Sequence, residues 1–573
     1  MLRASVRIPA LFSRVSTVSP ETRNAVLGLS ALFYLVFALN ADSLRFSGGD
    51  WNTLANLRDL HGFEGFRRIV LNQWFSLPRI QFLNHLWCAA MVKLFGFWAA
   101  PYFAVILAAH FAGALLAYGV LRALGLGELA ARGGAALYLV VPSSAPALFV
   151  IFYSWLVFPC TMLMLALWLA LFPLKHRWLD LASLTAACLT CQFLGDQTIA
   201  LLYWVLACLA ARQVLSPPHS RPLLRFGGES GLVWPLIRLI VPALACAGTL
   251  ALYWFAAVRP FATEYAPRWN FETLGAFVKN LLAWQAQAMN AASWMYGKAS
   301  VGPSRASLVI IPAVVATLWG LFARCPAGQD EKTPLAPLAG CLAGGLVASV
   351  APLLYAVLIG YRSGMETRYM YVPGLVLALL LATGIEAVSR RWPADRDGRI
   401  RKALFFSTAC YLSMLMIYDL RDIWGAQKRT EERIWAQIDA QFPPRAKYIW
   451  ERPANPRAKY IITDGLQHST LMPSFRSNAV GDFFEDFGVQ GRLRVVNGVD
   501  LLPVRRPRGE KGNLVLVEPY WQKPRIVDKS ELFAIVFRYG AEFSDLERGL
   551  VLTFPSYDDY KRYRTAEGIS FSD

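Results

Sequence analysis

Three stretches of this chain hold polar residues suited to moving a group onto a hydroxyl. The first is LRFSGGDWNTLANLRDL, residues 44–60, where Asp50 follows Gly48 and Gly49. A carboxylate can take the proton of an attacking hydroxyl, and two glycines let the backbone come close to a substrate. Asp50 also suits the N-cap of a helix starting at Trp51, and the two roles are compatible. The second stretch, TRYMYVP, contains Arg368 and Tyr369, with Arg362 and Glu366 just before them. A guanidinium fork holds two oxygens of a phosphate and stays charged, although Arg and Tyr are also ordinary interfacial anchors. The third, LGDQTIALL, places Asp196 between two apolar runs, as a functional acid or as a helix N-cap. A base for the hydroxyl proton and a cation for a departing phosphate are the parts of transfer from a phosphate-activated donor. Asp59 and Glu64 are alternative carboxylates, in a polar amphipathic stretch where solvated charge is the commoner role. Asp464, in YIITDGLQHS, reads as a cap where a strand turns into a helix.

What positions these residues is a membrane scaffold. The 573 residues are 55% hydrophobic and only 17% charged, with a mean hydropathy of +0.37. A water-soluble chain carries nearer about a quarter charged residues. The net charge of +18 would suggest nucleic acid for a soluble protein. In a membrane protein it reflects Lys and Arg in cytoplasmic loops, so no nucleic-acid partner is expected. Nearly all of the nine cysteines lie in apolar runs, which argues against a disulfide framework. Cys188 and Cys191 read as small core residues on one helix face. The six histidines are scattered, and the sequence shows no metal-ligand cluster.

Hydropathy places spans at 25–39, 101–121, 133–152, 153–171, 178–194, 198–211, 239–258, 307–323, 335–359, 369–388 and 403–418, about eleven transmembrane helices. Residues 81–95 are apolar but interrupted by Asn84, His85 and Lys93, and are expected to lie on the membrane surface. With the N-terminus cytoplasmic, the strongly basic short loops fall on one side, as the positive-inside rule asks. Asp50, Asp196 and the loop holding Arg362 and Arg368 then fall on the other. The resulting plan is a cytoplasmic segment 1–23, a multi-spanning domain 24–420 with outer loops 41–98 and 259–304, and a soluble domain 421–573 on the outer face. Both outer loops are themselves basic, and phosphate or lipid head groups are one use for that charge, ordinary solvation the other. Beyond residue 421 an amphipathic helix over 422–442 and short β-like runs at 459–463, 493–497, 513–517, 532–537 and 550–553 predict a small α/β or mainly β domain. No tetratricopeptide or other repeat is present.

Over residues 25–418 the layout resembles the GT-C superfamily of integral-membrane glycosyltransferases. The segment RIQFLNHLWCAAMVKLFGFWAAPYFAVILAAHFAGALLAYGVLRALG, with His110 inside it, is similar to the family's surface helix and second span. ALYLVVPSSAPALFVIFYSWL is like its proline-broken helix and following turn, and TRYMYVPGLVLALLLATG resembles the motif opening a late span in the branch related to protein O-mannosyltransferases. The resemblance implies that Asp50 is the catalytic base. It implies that Arg368 (with Arg362 and Tyr369) binds the lipid phosphate, and that a second polar or acidic substrate-binding residue lies near Asp196. It further implies a polyprenyl-phosphate sugar as donor, a glycan, lipid or protein as acceptor, inversion at the anomeric carbon, and no cofactor beyond the donor; a divalent metal is compatible, but no ligand set is visible. A single acid, Asp50, stands where many relatives have a pair. The Arg-, Ala- and Leu-rich composition suggests a bacterial inner membrane, with the C-terminal domain periplasmic.

Two other readings remain open at this point. A lipid-linked glycan ligase or polymerase would share the outer-face site. A transporter or flippase predicts inverted repeats and mid-membrane acids; the sequence halves show no repeat, and the candidate acids gather at one surface.

Overall fold

A computed structural model describes residues 19–44, 54, 57, 60–71, 80–96, 98–141, 145–149, 151–215, 233–258, 335–358, 371–391, 399–418, 421, 460–464, 494–503, 514–519, 525–528, 532–538, 550–554 and 556–566. Up to Tyr418 every described element is helical. The first helix, α1 (Pro20–Val36), starts ahead of the expected span for a local reason. Ser19 accepts a hydrogen bond from the Thr22 amide at 3.2 Å, Pro20 opens the first turn and Glu21 faces the helix dipole. Then come α2 (Gly62–Val70), α3 (Phe82–Phe95), α4 (Ala99–Ala123), α5 (Glu128–Val140), the short α6 (Ala145–Phe149), α7 (Ser154–Leu171) and α8 (Arg177–Leu194). The helical series continues with α9 (Ile199–Leu215), α10 (Val233–Tyr253), α11 (Leu335–Leu358), α12 (Tyr371–Arg391) and α13 (Arg399–Tyr418).

Among the described residues, five helical stretches are long and apolar enough to cross a membrane: Pro20–Ala41, Ala99–Ala123, Ser154–Leu171, Asp196–Val214 and Val233–Ala256. Phe82–Phe95, Pro337–Pro352 and Tyr371–Ala387 are shorter apolar helices. The expected spans coincide with helix apart from 133–152 and from 307–323, which lies outside the described residues. The stretch 133–152 is not one helix: α5 stops at Val140, and Val141, the residue before Pro142, is extended at ψ 122°. A proline's ring disfavours helical backbone in its predecessor, which ends the helix there. Large apolar side chains point outward from the bundle, among them Leu252 (71% exposed), Val347 (72%) and Phe406 (73%). That is a surface for lipid rather than water.

Side-chain contacts fix which helix ends meet. Glu21 lies 3.6 Å from Arg122, and its carbonyl accepts from Arg132 at 2.8 Å. The start of α1, the end of α4 and the start of α5 therefore share one end of the bundle, the Glu21 end. Helix α7 runs parallel to α4, with Thr161 donating to the Ala109 carbonyl at 2.9 Å and Trp168 against Gly119. Helix α8 returns, and α9 and α11 pack antiparallel, Trp204 donating to the Cys341 carbonyl at 2.8 Å and Leu201 touching Gly345. The opposite, Asp196 end collects the end of α1, the starts of α4, α7, α9 and α12, and the ends of α8, α10 and α13. Helix α10 finishes at this end and α11 starts at the Glu21 end.

Near the Glu21 end a buried ion pair locks three helices. Asp180 of α8 and Arg238 of α10 are 0% and 1% exposed in their side chains. Arg238 donates to both Asp180 oxygens, to the Leu169 carbonyl, and to the Ala170 carbonyl at 2.7 Å, closing the end of α7. Cys188 and Cys191 lie on the buried face of α8 as free thiols, Cys191 donating to the Pro159 carbonyl at 3.3 Å.

After the bundle the described backbone forms a mixed six-stranded sheet: β1 (Tyr460–Asp464), β2 (Arg494–Pro503), β3 (Leu514–Pro519), β4 (Arg525–Asp528), β5 (Leu532–Arg538) and β6 (Leu550–Phe554). The order is β4-β3-β2-β1-β5-β6. Central β1 pairs parallel with β2 and β5, and the outer pairs are antiparallel. Each expected β-like run is a strand, and β4 is one more. Asp464 is the last residue of β1, in register with Val536. A final helix, α14 (Tyr557–Ala566), packs on β5 and β6 and buries Tyr557 and Tyr560. The expected helix over 422–442 lies outside the described residues.

Candidate functional site

The Asp196 turn and the described flanks of the other two sequence stretches lie toward one end of the bundle. Asp50, Arg362, Arg368 and Tyr369 lie outside the described residues, as does Asp59. Leu44, Leu54 and Leu57, on either side of Asp50, are buried. Asn40, at the end of α1, donates to the Val36 carbonyl at 2.8 Å and accepts from Arg421, just past α13, at 2.7 Å. The chain therefore leaves α1 toward Asp50 from a fixed point.

Tyr371, three residues after Arg368, is fixed as well. It is fully buried at the first position of α12, and its hydroxyl lies 2.9 Å from Nδ1 of His110. The other ring nitrogen, Nε2, is 3.0 Å from the Leu139 carbonyl. A carbonyl can only accept, so Nε2 carries the proton and Nδ1 of the neutral ring accepts from Tyr371. Tyr138 stacks on the imidazole with centroids 5.5 Å apart, and Phe37 meets it edge-on at 6.1 Å. A Cβ on Gly113 would lie 2.7 Å from the Tyr138 hydroxyl, so the glycine makes room for this stack. Helices α1, α4, α5 and α12 thus set where the loop holding Arg362 and Arg368 ends.

Asp196 opens the turn Asp196–Thr198 between α8 and α9 and is half-buried. Its neighbour Gly195 lets that turn press on α7: a Cβ there would lie 2.1 Å from the Trp155 carbonyl. On the same level is the N-terminal part of α3. Gln81, Asn84 and His85, one face of the helix, are each 0% exposed. Asn84 and His85 therefore face the bundle, while Lys93, Leu94 and Phe95 on the same helix are exposed. Ser154 donates to Asn84 at 2.8 Å, and Phe82 packs on Phe193 and Tyr253 at 5.0 and 5.7 Å.

Glu64, on α2, is exposed and paired with Arg67. Arg67 donates to both its oxygens, at 2.9 and 3.0 Å, and holds its carboxyl below the usual carboxylate range. A lowered pKa makes a poorer base at neutral pH. Phe63 and Phe66 of α2 are exposed beside these charges, and Lys93 of α3 reaches His61 at 3.0 Å. This is the aromatic and basic pattern of a membrane-interface element.

Asn40, Gln81, Asn84, Ser154 and Tyr253 were not singled out by type alone. The usable signal was the spacing of Gln81, Asn84 and His85, three polar residues on one face of an apolar helix. Among the described residues, no group of three or more His, Cys, Asp or Glu side chains could hold a metal ion. No protein-family model, curated protein or solved structure matches the chain.

Proposed function

We propose that this protein is an integral-membrane glycosyltransferase that moves a sugar from a polyprenyl-phosphate donor to a glycan, lipid or protein acceptor on the outer face of a bacterial inner membrane. The observation that carries the reading is the convergence of the end of α1, the α8–α9 turn and the start of α12 at one end of the bundle. These are the flanks of the Asp50 stretch, the Asp196 turn and the flank of the Arg362–Arg368 loop. Most described basic residues near the helix ends, among them Arg122, Arg132, Lys175, Arg177 and Arg212, lie toward the other end. That asymmetry supports a cytoplasmic Glu21 end, an arrangement of about eleven spans and a C-terminal domain on the periplasmic side.

In this reaction Asp50 takes the acceptor's hydroxyl proton as that oxygen bonds to the anomeric carbon from the face opposite the phosphate. The bond from the anomeric carbon to the phosphate oxygen breaks, and its electron pair leaves with the lipid phosphate, which Arg368 and Arg362 stabilise. Asp196 and Tyr369 bind the substrates, and the anomeric configuration inverts. The test is transfer by purified protein in lipid vesicles, with the donor titrated for wild type and Arg368→Ala. The half-saturating donor concentration should rise at least about tenfold, the equivalent of one charge-assisted hydrogen bond. An unchanged value would remove Arg368 from phosphate binding.

A further inference from the structure

Gln81 is fully buried, and neither its amide nitrogen nor its amide oxygen has a hydrogen-bond partner. Turning the amide over changes nothing, because both atoms lack one. One turn along the same face, the Asn84 amide nitrogen is also buried without a partner, while its oxygen accepts from Ser154. The hydroxyl of Tyr253, whose ring stacks on Phe82 next to Gln81, is a further buried group with no partner. Native interiors leave few such groups, since each unmade bond gives up the water that solvated it. The two amides lie within one turn at the start of α3, at the end where Asp196 sits, and the Tyr253 ring packs beside that turn.

The chemistry of this cluster selects its ligand. A primary amide offers two donors and an acceptor in one plane, which matches neighbouring hydroxyl groups that both give and receive hydrogen bonds. Phosphate would call for Arg or Lys, and neither Gln81 nor Asn84 carries charge. We propose that Gln81 and Asn84 form a neutral amide subsite that binds ring hydroxyls of the transferred sugar and selects among sugars by their hydroxyl pattern. The proposal rests on the glycosyltransferase reading and supplies its sugar-recognising residues. Ser154 is the positioning partner: by holding the Asn84 oxygen it leaves the amide nitrogen free to donate.

The test uses the full-length protein in lipid with short-chain polyprenyl-phosphate hexoses and pentoses and their monodeoxy analogues, read by thermal stabilisation and by transfer. Wild type should be stabilised by one hydroxylated donor and discriminate against at least one deoxy analogue by about a hundredfold or more, as sites built to bond a hydroxyl do. Gln81→Met keeps the side-chain volume and removes the unmet bonds. It should match or exceed the wild-type melting temperature without donor, and lose both the donor-induced stabilisation and most of the discrimination. Asn84→Ala, measured in the same way, gives the same answer should Gln81→Met not fold. If wild type transfers sugar and both variants keep its discrimination, the subsite is wrong and the enzyme reading stands. Donor stabilisation lost in Gln81→Met, with no transfer by wild type, would overturn the enzyme reading and with it the selection of a transferred sugar, leaving the two amides as a sugar-binding site only. No stabilisation of wild type by any donor would overturn both.

Discussion

The Asp180–Arg238 pair allows a quantitative test of the packing. Arg238 makes four hydrogen bonds, two to Asp180 and two to the last carbonyls of α7, while Asp180 also accepts from the Leu174 amide at 2.8 Å. Arg238→Met leaves a carboxylate buried with one amide donor and strips two carbonyls, so the cost should be about 4 kcal/mol. Asp180→Asn keeps the Leu174 bond and one acceptor for Arg238, whose charge the α7 carbonyls still solvate, so the cost should be nearer 2 kcal/mol. In the double variant no unpaired charge is buried, and the loss should be about 3 kcal/mol rather than the roughly 6 expected from addition. Graded denaturation of the detergent-solubilised protein measures all three. Because the pair sits at the Glu21 end, half-saturating donor concentrations should stay at wild-type values while the folded fraction falls. Single variants that each cost under about 1 kcal/mol, or that add without coupling, would show that the pair is not the buried lock described.

Two further substitutions probe the Asp196 end. Gly195→Ala puts a methyl group where the Trp155 carbonyl already stands, so the turn holding Asp196 must shift by about 1 Å and transfer should drop about a hundredfold, read as initial rate at saturating donor. A near-normal rate would detach Asp196 from the reaction. Tyr371→Phe removes the donor to His110 Nδ1 and should cost roughly 1–3 kcal/mol, measured by the same denaturation, with weaker donor binding because Arg368 loses its fixed neighbour.

How much of this was legible in the sequence depends on what kind of signal each feature leaves. Apolar runs announce helices directly, because a membrane-crossing segment must satisfy its backbone internally and face lipid. The start of α1 was missed because Ser19 and Pro20 lie before the apolar run, where hydropathy gives no weight to a cap. The break at Val141 is written in Pro142, yet a hydropathy window averages over it. In helix α3 the sequence shows which residues are polar but not which of them are covered. Asn84 and His85 are buried among helices that the sequence does not reveal as neighbours, while Lys93 is exposed. The link between His110 and Tyr371, 261 residues apart, has no local signature. Its members fall inside the quoted resemblance stretches, but their bond is visible only once α4, α5 and α12 are packed together.

The most direct measurement is release of labelled sugar from a panel of polyprenyl-phosphate sugars by the purified protein in lipid, with acceptors present, for wild type beside Asp50→Asn. The account predicts that wild type consumes one donor, and that Asp50→Asn, folded and inserted normally, releases less than about a thousandth as much, the scale of losing a general base. Transfer by Asp50→Asn at the wild-type rate, or no turnover of any donor by wild type, would contradict it.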